Sequence, residues 1–265
     1  MLLALDGRRQ AYDLIGPESG PVLCLAHCLS SDMGVWADQL PALVMQGWRV
    51  LRIDMRGHGG SEPSRAPCTM ADYAADVIRV LDFLGFERVH FAGVSIGGMI
   101  GQQLGVDHGE RLHSLLLSGT SPQAVPGGEA MWEARFAAIE SAGSVGAIAD
   151  AAMTRWVTDA FRTARPERWA QVRETIAATS VPGYRAGAEA IIAFDILDRL
   201  PLVRTPTLVI CGDEDTGTPP TGNRRIAELV PGARYVEMAR ARHLPMVEYP
   251  DAYSRLLLEW LAALA

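Results

Sequence analysis

The sequence is poor in positive charge and has no long apolar run. Its 24 Lys and Arg are outnumbered by 31 Asp and Glu, giving a net charge of -7 and a pI near 5.4. A general acidic field with no basic tract repels phosphate backbones and anionic membrane surfaces, so neither nucleic acid nor a membrane is expected as a partner. No stretch approaches the roughly 18 apolar residues of a membrane span. The opening Met1-Leu2-Leu3-Ala4-Leu5 gives way to Asp6 and Gly7, too short for the apolar region of a signal peptide and without a positive start, so the expected compartment is the cytoplasm. Cysteine is sparse: Cys24, Cys28, Cys68 and Cys211 form no C-x-x-C pair, and Cys24 and Cys211 fall in apolar strand-like runs, which favours buried free thiols over disulfides. The histidines lack metal-ligand spacing to acids or cysteines, and no glycine-rich phosphate loop leads into Lys-Ser or Lys-Thr. Neither a metal nor a cofactor is therefore expected, there is no internal repeat or low-complexity linker, and nothing in the pattern specifies an oligomer.

What is present is a globular composition with a clear rhythm. With 265 residues, 49% hydrophobic and 21% charged, the chain can form one large domain or a domain with a substantial insertion. Strand-like runs at 9–15, 21–26, 49–54, 89–92 and 112–118 alternate with helical stretches at 35–45 and 70–84, spacings typical of βαβ units. Val22 to Ala26 is apolar throughout, as a strand covered on both faces must be. From about 122 to 200 no strand is expected, whereas helical periodicity marks 129–141, 145–156, 166–178 and 184–197. The α/β pattern resumes with strands at 207–211 and 233–238 and helices at 220–229 and 251–264. The expected organisation is an α/β core, 1–121 and 201–265, carrying an inserted helical cap, 122–200. In open parallel sheets ligands bind beyond the carboxyl ends of the strands, and the loops of interest all follow strands.

The chemistry centres on Val89 to Leu104, where a β-rich run meets Gly93-Val94-Ser95-Ile96-Gly97 and a helix with Ile96, Ile100 and Leu104 on one face. A serine at so sharp a strand-to-helix turn sits in a strained conformation, and side chains at the flanking glycines would collide with strand and helix. The Ile96 amide then lies at a helix N-terminus, suited to a developing oxyanion. A serine hydroxyl needs a base and a group to orient that base. Downstream, an apolar run ends in Gly212-Asp213-Glu214-Asp215 before Pro219, and a later one leads to Arg242-His243-Leu244. His243 is the only histidine after these acids. Asp215 fits the spacing best, with Asp213 and Glu214 as alternatives. The second oxyanion donor is expected in Ala26-His27-Cys28-Leu29-Ser30, at the Leu29 amide, with Cys28 as a small pocket residue rather than a nucleophile. The polar loop Asp54 to Ser61 is read as structural, tied by Asp54 and Arg56, and His90 as a core histidine.

Gly93-Val94-Ser95-Ile96-Gly97-Gly98, the Asp54-to-Ser61 loop, Gly212 to Pro219 and His243-Leu244 occur in an order that resembles α/β-hydrolase-fold serine hydrolases along essentially the whole chain. Within them the sequence is most similar to 3-oxoadipate enol-lactonases, through Thr154 to Arg162, Gly183-Tyr184-Arg185 and Pro231 to Glu237. The resemblance implies hydrolysis of a small lactone or carboxylic ester through Ser95, His243 and Asp215, with the amides of Leu29 and Ile96 as oxyanion hole. The lactonase substrate carries a carboxylate, and lactonases often show an Arg-Asp pair where this chain has Ile192 and Ala193; Arg135, Arg155, Arg162 and Arg185 are the cations left to meet it. Trp132, Trp156, Phe161 and Trp169 are candidate pocket walls, with Arg135 and Ile192 also placed there. The rival readings are a broad carboxylesterase acting on neutral esters and a slow-turnover small-molecule receptor on the same fold.

Overall fold

The structure is a computed structural model describing residues 1–5, 7–64, 67–124 and 127–264. Its frame is an eight-stranded sheet formed by β1 (Leu2–Leu5), β2 (Arg8–Ile15), β3 (Val22–Ala26), β4 (Arg49–Ile53), β5 (Val89–Val94), β6 (Leu112–Ser118), β7 (Thr207–Gly212) and β8 (Arg234–Met238). The strand order is β1-β2-β4-β3-β5-β6-β7-β8; β2 is antiparallel to both its neighbours and every later pairing is parallel. The parallel strands are apolar runs because helices cover them: all residues of β5 and β7 are buried. The chain has the α/β-hydrolase fold.

The helices of the frame are α1 (Leu40–Met45), α2 (Met70–Leu84), α3 (Ile96–Asp107), α9 (Pro220–Leu229), α10 (Pro245–Glu248) and α11 (Pro250–Ala262), and between β6 and β7 come α4 (Glu129–Ala142), α5 (Ala149–Trp156), α6 (Asp159–Ala164), α7 (Pro166–Ala178) and α8 (Val181–Ile192). Local chemistry sets their limits. Thr69 and Asp72 form a reciprocal capping box at the start of α2, and Gly85, at φ 74°, ends it in the left-handed region. The stretch 35–45 is divided, a 3-10 turn over Met33–Gln39 preceding α1, where Pro41 occupies a first-turn position that needs no N–H donor. Trp36, wholly buried in that turn, donates from Nε1 to Ala26 O at 3.1 Å and so fixes the turn against the end of β3.

Several elements differ from the sequence expectation, among them α10, which no periodicity marked, and the stretch 145–156, which divides into a 3-10 turn and α5. β1 forms from residues that read only as a short apolar lead, because pairing with β2 (Leu2 opposite Ala11, Leu5 opposite Arg8) satisfies its backbone. The helix expected at 184–197 runs instead over Val181–Ile192. It begins early because Ser180 caps it, accepting from Gly183 N at 3.0 Å, and it stops early because the chain beyond pairs with 122–124. Ala124 N donates to Phe194 O, Ile196 N donates to Pro122 O, and Gln123 bridges Asp195, so the chain enters and leaves the helical stretch at one place. α6 was not marked by periodicity; its start is set by Thr158, whose hydroxyl accepts from Phe161 N.

The Asp54-to-Ser61 loop is a buried knot of polar groups. Asp54 accepts from Met33 N at 2.7 Å and from Gly60 N at 2.9 Å, while Arg56 reaches past it to Asp76 of α2. The rings of His27 and His58 lie with centroids 5.3 Å apart, tilted by 51°. Met55 N donates to His27 Nε2 and His27 Nδ1 donates to Cys28 O, a pattern that demands the neutral ring; His58 Nδ1 donates to Arg56 O. Burial pushes His27 down to about 4 and His58 to about 3, with the neighbouring His27 ring adding to the shift at His58. His90, packed against Ser114 Oγ and the edge of Trp48, is pushed by burial to about 4.

These three rings make stability pH-dependent. The unfolded chain takes up their protons near 6.5 and the folded chain only near 4 or below, so stability is intact above pH 6.5 and is lost as pH falls toward 4. At pH 4.5 each contributes a loss of about 2–3 kcal/mol. Asp54, raised by burial to about 6, works the other way and returns part of this below pH 6. Urea unfolding is expected to show a large net drop between pH 7 and 4.5, and His58→Asn should lose about 2 kcal/mol less over that interval. Equal pH dependence in the two proteins would overturn the neutral assignment of His58.

Candidate active site

Ser95 lies at the carboxyl end of β5 with φ 59° and ψ −119°, a left-handed conformation that few non-glycine residues adopt. The turn is possible because its flanks lack side chains: a β-carbon on Gly93 would stand 2.1 Å from Gly97 O, and one on Gly97 would stand 2.5 Å from Ala26 O. The elbow is held from the neighbouring strand. Ser95 N donates to Ser118 O at 2.9 Å, and Thr120 Oγ1 and Met99 N both donate to Ser95 O. Ile96 is the first residue of α3, so its N–H has no intrahelical acceptor.

Beyond β7, the chain turns so that Asp215 is buried while Asp213 and Glu214 are exposed. Asp215 Oδ1 accepts from Gly217 N at 2.8 Å and Thr218 N at 3.0 Å; Oδ2 accepts from Thr218 Oγ1 at 2.9 Å and from His243 Nδ1 at 2.8 Å. Burial alone would raise this carboxyl, but the His243 ring and the donors of Thr218 outweigh it and hold Asp215 below the usual carboxylate range. A ring donating through Nδ1 keeps the lone pair on Nε2. Of the three acids left open by the sequence, Asp215 is thus the one bonded to His243; Glu214 instead faces Arg242 at 3.8 Å.

Two partners of this arrangement carried no sequence signal. Thr218, three residues after Asp215, supplies two of its four donors. Asn223 of α9 accepts from Thr120 N and donates to Thr218 O, tying the loop after β6 to the loop after β7.

Ser95 and His243 open into one cavity of about 270 Å³, whose walls include Leu29, Ser30, Met99, Met131, Trp132, Arg135, Ile148, Arg155, Trp156, Tyr184, Ile191 and Thr218. Leu29 follows a peptide that is firmly oriented: His27 Nδ1 donates to Cys28 O, the carbonyl of the unit whose N–H belongs to Leu29. Trp132, Arg135 and Trp156 stand where the sequence placed them, with the Trp156 ring 6.3 Å from that of His243. Four expected wall residues do not line the cavity. Cys28 is fully buried beneath the loop, and burial raises its thiol to about 12. Phe161 is turned into the packing of α6, and Ile192 lies 40% exposed on the outside of α8, one position out of phase with Ile191. Trp169 lies away from it as well, under Arg162 at 4.6 Å, while Arg185 covers Phe136. All four cysteines are free and buried.

The cavity holds two cations. Arg135 lies over the face of Trp132 at 4.8 Å, and Arg155 is lowered to about 10 by burial and by the charge of Arg135. Among the described residues neither guanidinium is paired with an acid, and the buried hydroxyl of Tyr184 lies beside Arg135 and within the field of Arg155. Among those residues too, no cluster of three or more His, Cys, Asp or Glu is placed to hold a metal ion, and no helix is long and apolar enough to cross a membrane.

Residues 21–250 match the alpha/beta hydrolase fold family. The chain is 28% identical over 256 residues to 3-oxoadipate enol-lactonase 1 of Acinetobacter baylyi, covering 97% of this chain and 94% of that protein. It is 30% identical over 255 residues, 95% of each chain, to a protein of Variovorax paradoxus that bears the name carbamate hydrolase RutD. Among solved structures, the enol-lactonase from Burkholderia xenovorans LB400 superposes with a TM-score of 0.93 at 32% identity, covering 99% of this chain and 100% of that one. With this fold, this elbow and these relatives, the chain is a hydrolase that belongs to the α/β-hydrolase fold family.

Proposed function

We propose that the protein hydrolyses a small lactone that carries a carboxylate, with 3-oxoadipate enol-lactone as its substrate and a place in the breakdown of aromatic compounds. The observation that carries this reading is the pair Arg135 and Arg155, two cations that have no acidic partner among the described residues and line the same cavity as Ser95. Burying an unpaired guanidinium is costly, and a bound carboxylate offsets that cost through charge-assisted hydrogen bonds. Tyr184 OH, which accepts from Arg135, keeps its own proton as a further donor to the same carboxylate. The charge lost at Ile192 and Ala193 is then of no consequence, because Ile192 faces away from the cavity.

The chemistry follows from the geometry. Ser95 Oγ attacks the lactone carbonyl as His243 Nε2 takes its proton, and Asp215, bonded to Nδ1, stabilises the resulting imidazolium. The oxyanion is met by the N–H groups of Ile96 and Leu29, the latter aimed by the His27 bond to Cys28 O. Collapse breaks the ring C–O bond, and the imidazolium returns its proton to the leaving enol oxygen. That oxygen remains tethered to the acyl group, so the cavity has to hold first a ring and then an opened chain. Water, deprotonated by His243, attacks the acyl-enzyme; the ester C–O bond to Ser95 breaks as the imidazolium returns that proton to Ser95 Oγ, and the new carboxylate leaves. Residues 122–200 serve as the cap that encloses these steps and supplies both arginines. No cofactor takes part. A second reading, a carboxylesterase for neutral esters, is favoured by the apolar remainder of the wall: Met99, Met131, Trp132, Ile148 and Ile191.

Ser95→Ala is expected to lower kcat by about 10⁴-fold or more, and retained turnover in the pure variant would overturn the mechanism. On 3-oxoadipate enol-lactone, Arg155→Ala should lower kcat/KM by about 10- to 100-fold, the worth of a charge-assisted hydrogen bond, while leaving a neutral short-chain ester nearly unaffected. Equal losses on both substrates, or a wild-type preference for the neutral ester, would favour the second reading.

A further inference from the structure

The loop of His243 and the helix that carries Arg155 are joined more closely than packing requires. A helix leaves its last four carbonyls without donors of its own. At the end of α5, Met153 O is met by Val157 N, but Thr154 O accepts from Arg242 Nη1 at 2.6 Å and Trp156 O accepts from Leu244 N at 3.0 Å. Arg242 Nη1 also reaches Val157 O at 3.1 Å. The residues on either side of His243 therefore terminate α5. Glu248, the last residue of α10, completes the joint: Oε1 accepts from Thr158 N at 2.7 Å and Oε2 accepts from Arg242 N at 2.6 Å. Its carboxyl, raised by burial and held back by these amide donors, sits between the two chains with one oxygen on each. From the same helix end Arg155 and Trp156 project into the cavity, and Trp156 lies beside the His243 ring.

We propose that Glu248 is a positioning residue, clamping the His243 loop and α5 into one body so that the base and the anion-binding arginine keep a fixed spacing. This rests on the reading of His243 as base and Arg155 as the anion site. A carboxylate is needed because two N–H groups from different elements each require an acceptor; glutamine offers a single carbonyl and turns an NH2 toward the other N–H, and alanine offers nothing.

The test compares Glu248→Gln and Glu248→Ala with the wild type on 4-nitrophenyl acetate, a neutral probe that does not use Arg155, and on 3-oxoadipate enol-lactone. With 4-nitrophenyl acetate, kcat should fall about 10- to 100-fold while KM stays within about twofold, the alanine variant being the worse, because a displaced base slows chemistry without altering uniform binding. With the enol-lactone, KM should rise as well. A kcat for Glu248→Gln within about twofold of wild type, whatever happens to Tm, would reduce Glu248 to a structural brace and overturn the proposal. If Glu248→Ala does not fold, Arg242→Met, which cuts the side-chain straps to Thr154 and Val157 and keeps the Arg242 N–H, tests the same joint and should lower kcat in the same direction. Failure of the Arg155 reading alone would show as no change in KM for the enol-lactone with the loss on the neutral probe intact, and failure of the hydrolytic reading as turnover in Ser95→Ala measured alongside.

Discussion

The site depends on one steric constraint, the approach of Gly97 O to within 2.1 Å of where a β-carbon on Gly93 would stand. β5 has to become α3 within a single residue, and the residue between them is forced to positive φ. A non-glycine residue held there costs about 1–3 kcal/mol. The cost is sustained because the neighbours leave Ser95 no alternative: its N–H is bonded to β6, its carbonyl is bonded by Thr120 and Met99, and Gly97 packs on the carbonyl of Ala26 at the end of β3. Three adjacent strands thus hold one serine, and the loops that leave β3 and β6 are placed by the same contacts.

Around this point the polar groups are arranged so that the buried carboxylate of Asp215 is fully partnered. Asp215 is buried and accepts four hydrogen bonds, enough to keep it ionised where burial would otherwise neutralise it. Asn223 then links the acid's loop to the loop after β6, so the orientation of the His243 ring is connected through Thr218 and Thr120 to the carbonyl of Ser95 itself. The elbow and the acid are parts of a single hydrogen-bond network rather than neighbours in a cleft.

Much of this was legible in the sequence, for a physical reason. Gly93, Ser95 and Gly97 are fixed by steric exclusion, which acts over five residues, and the parallel strands announce themselves as continuous apolar runs. Asp215 was separable from Asp213 only weakly, since what distinguishes them is which one is buried under Gly119 and His243, a property of the folded loop. The walls of the cavity were the least legible. Ile191 and Ile192 differ by one position, about 100° on a helix, and α8 begins three residues earlier than periodicity alone suggests because Ser180 and Pro182 start it. Phe161 sits on a six-residue helix whose direction is set by the Thr158 cap, and β1 exists only because β2 offers it an edge.

The cavity also bears on an unusual feature of the chain: it contains no lysine, so all 24 of its basic side chains are arginine. At most surface positions the two are exchangeable, but not beside a second cation in a half-buried wall. Arg155 is lowered to about 10 by burial and by Arg135, and at that value it is still fully charged at neutral pH. A lysine in the same place would remain largely charged at neutral pH but would lack the planar fork that meets both oxygens of a carboxylate. Arginine also stacks on aromatic faces, as Arg135 does on Trp132, which holds one guanidinium in place with no acidic partner among the described residues. In the proposed reading, the repulsion that Arg135 exerts on Arg155 is what a bound anion relieves.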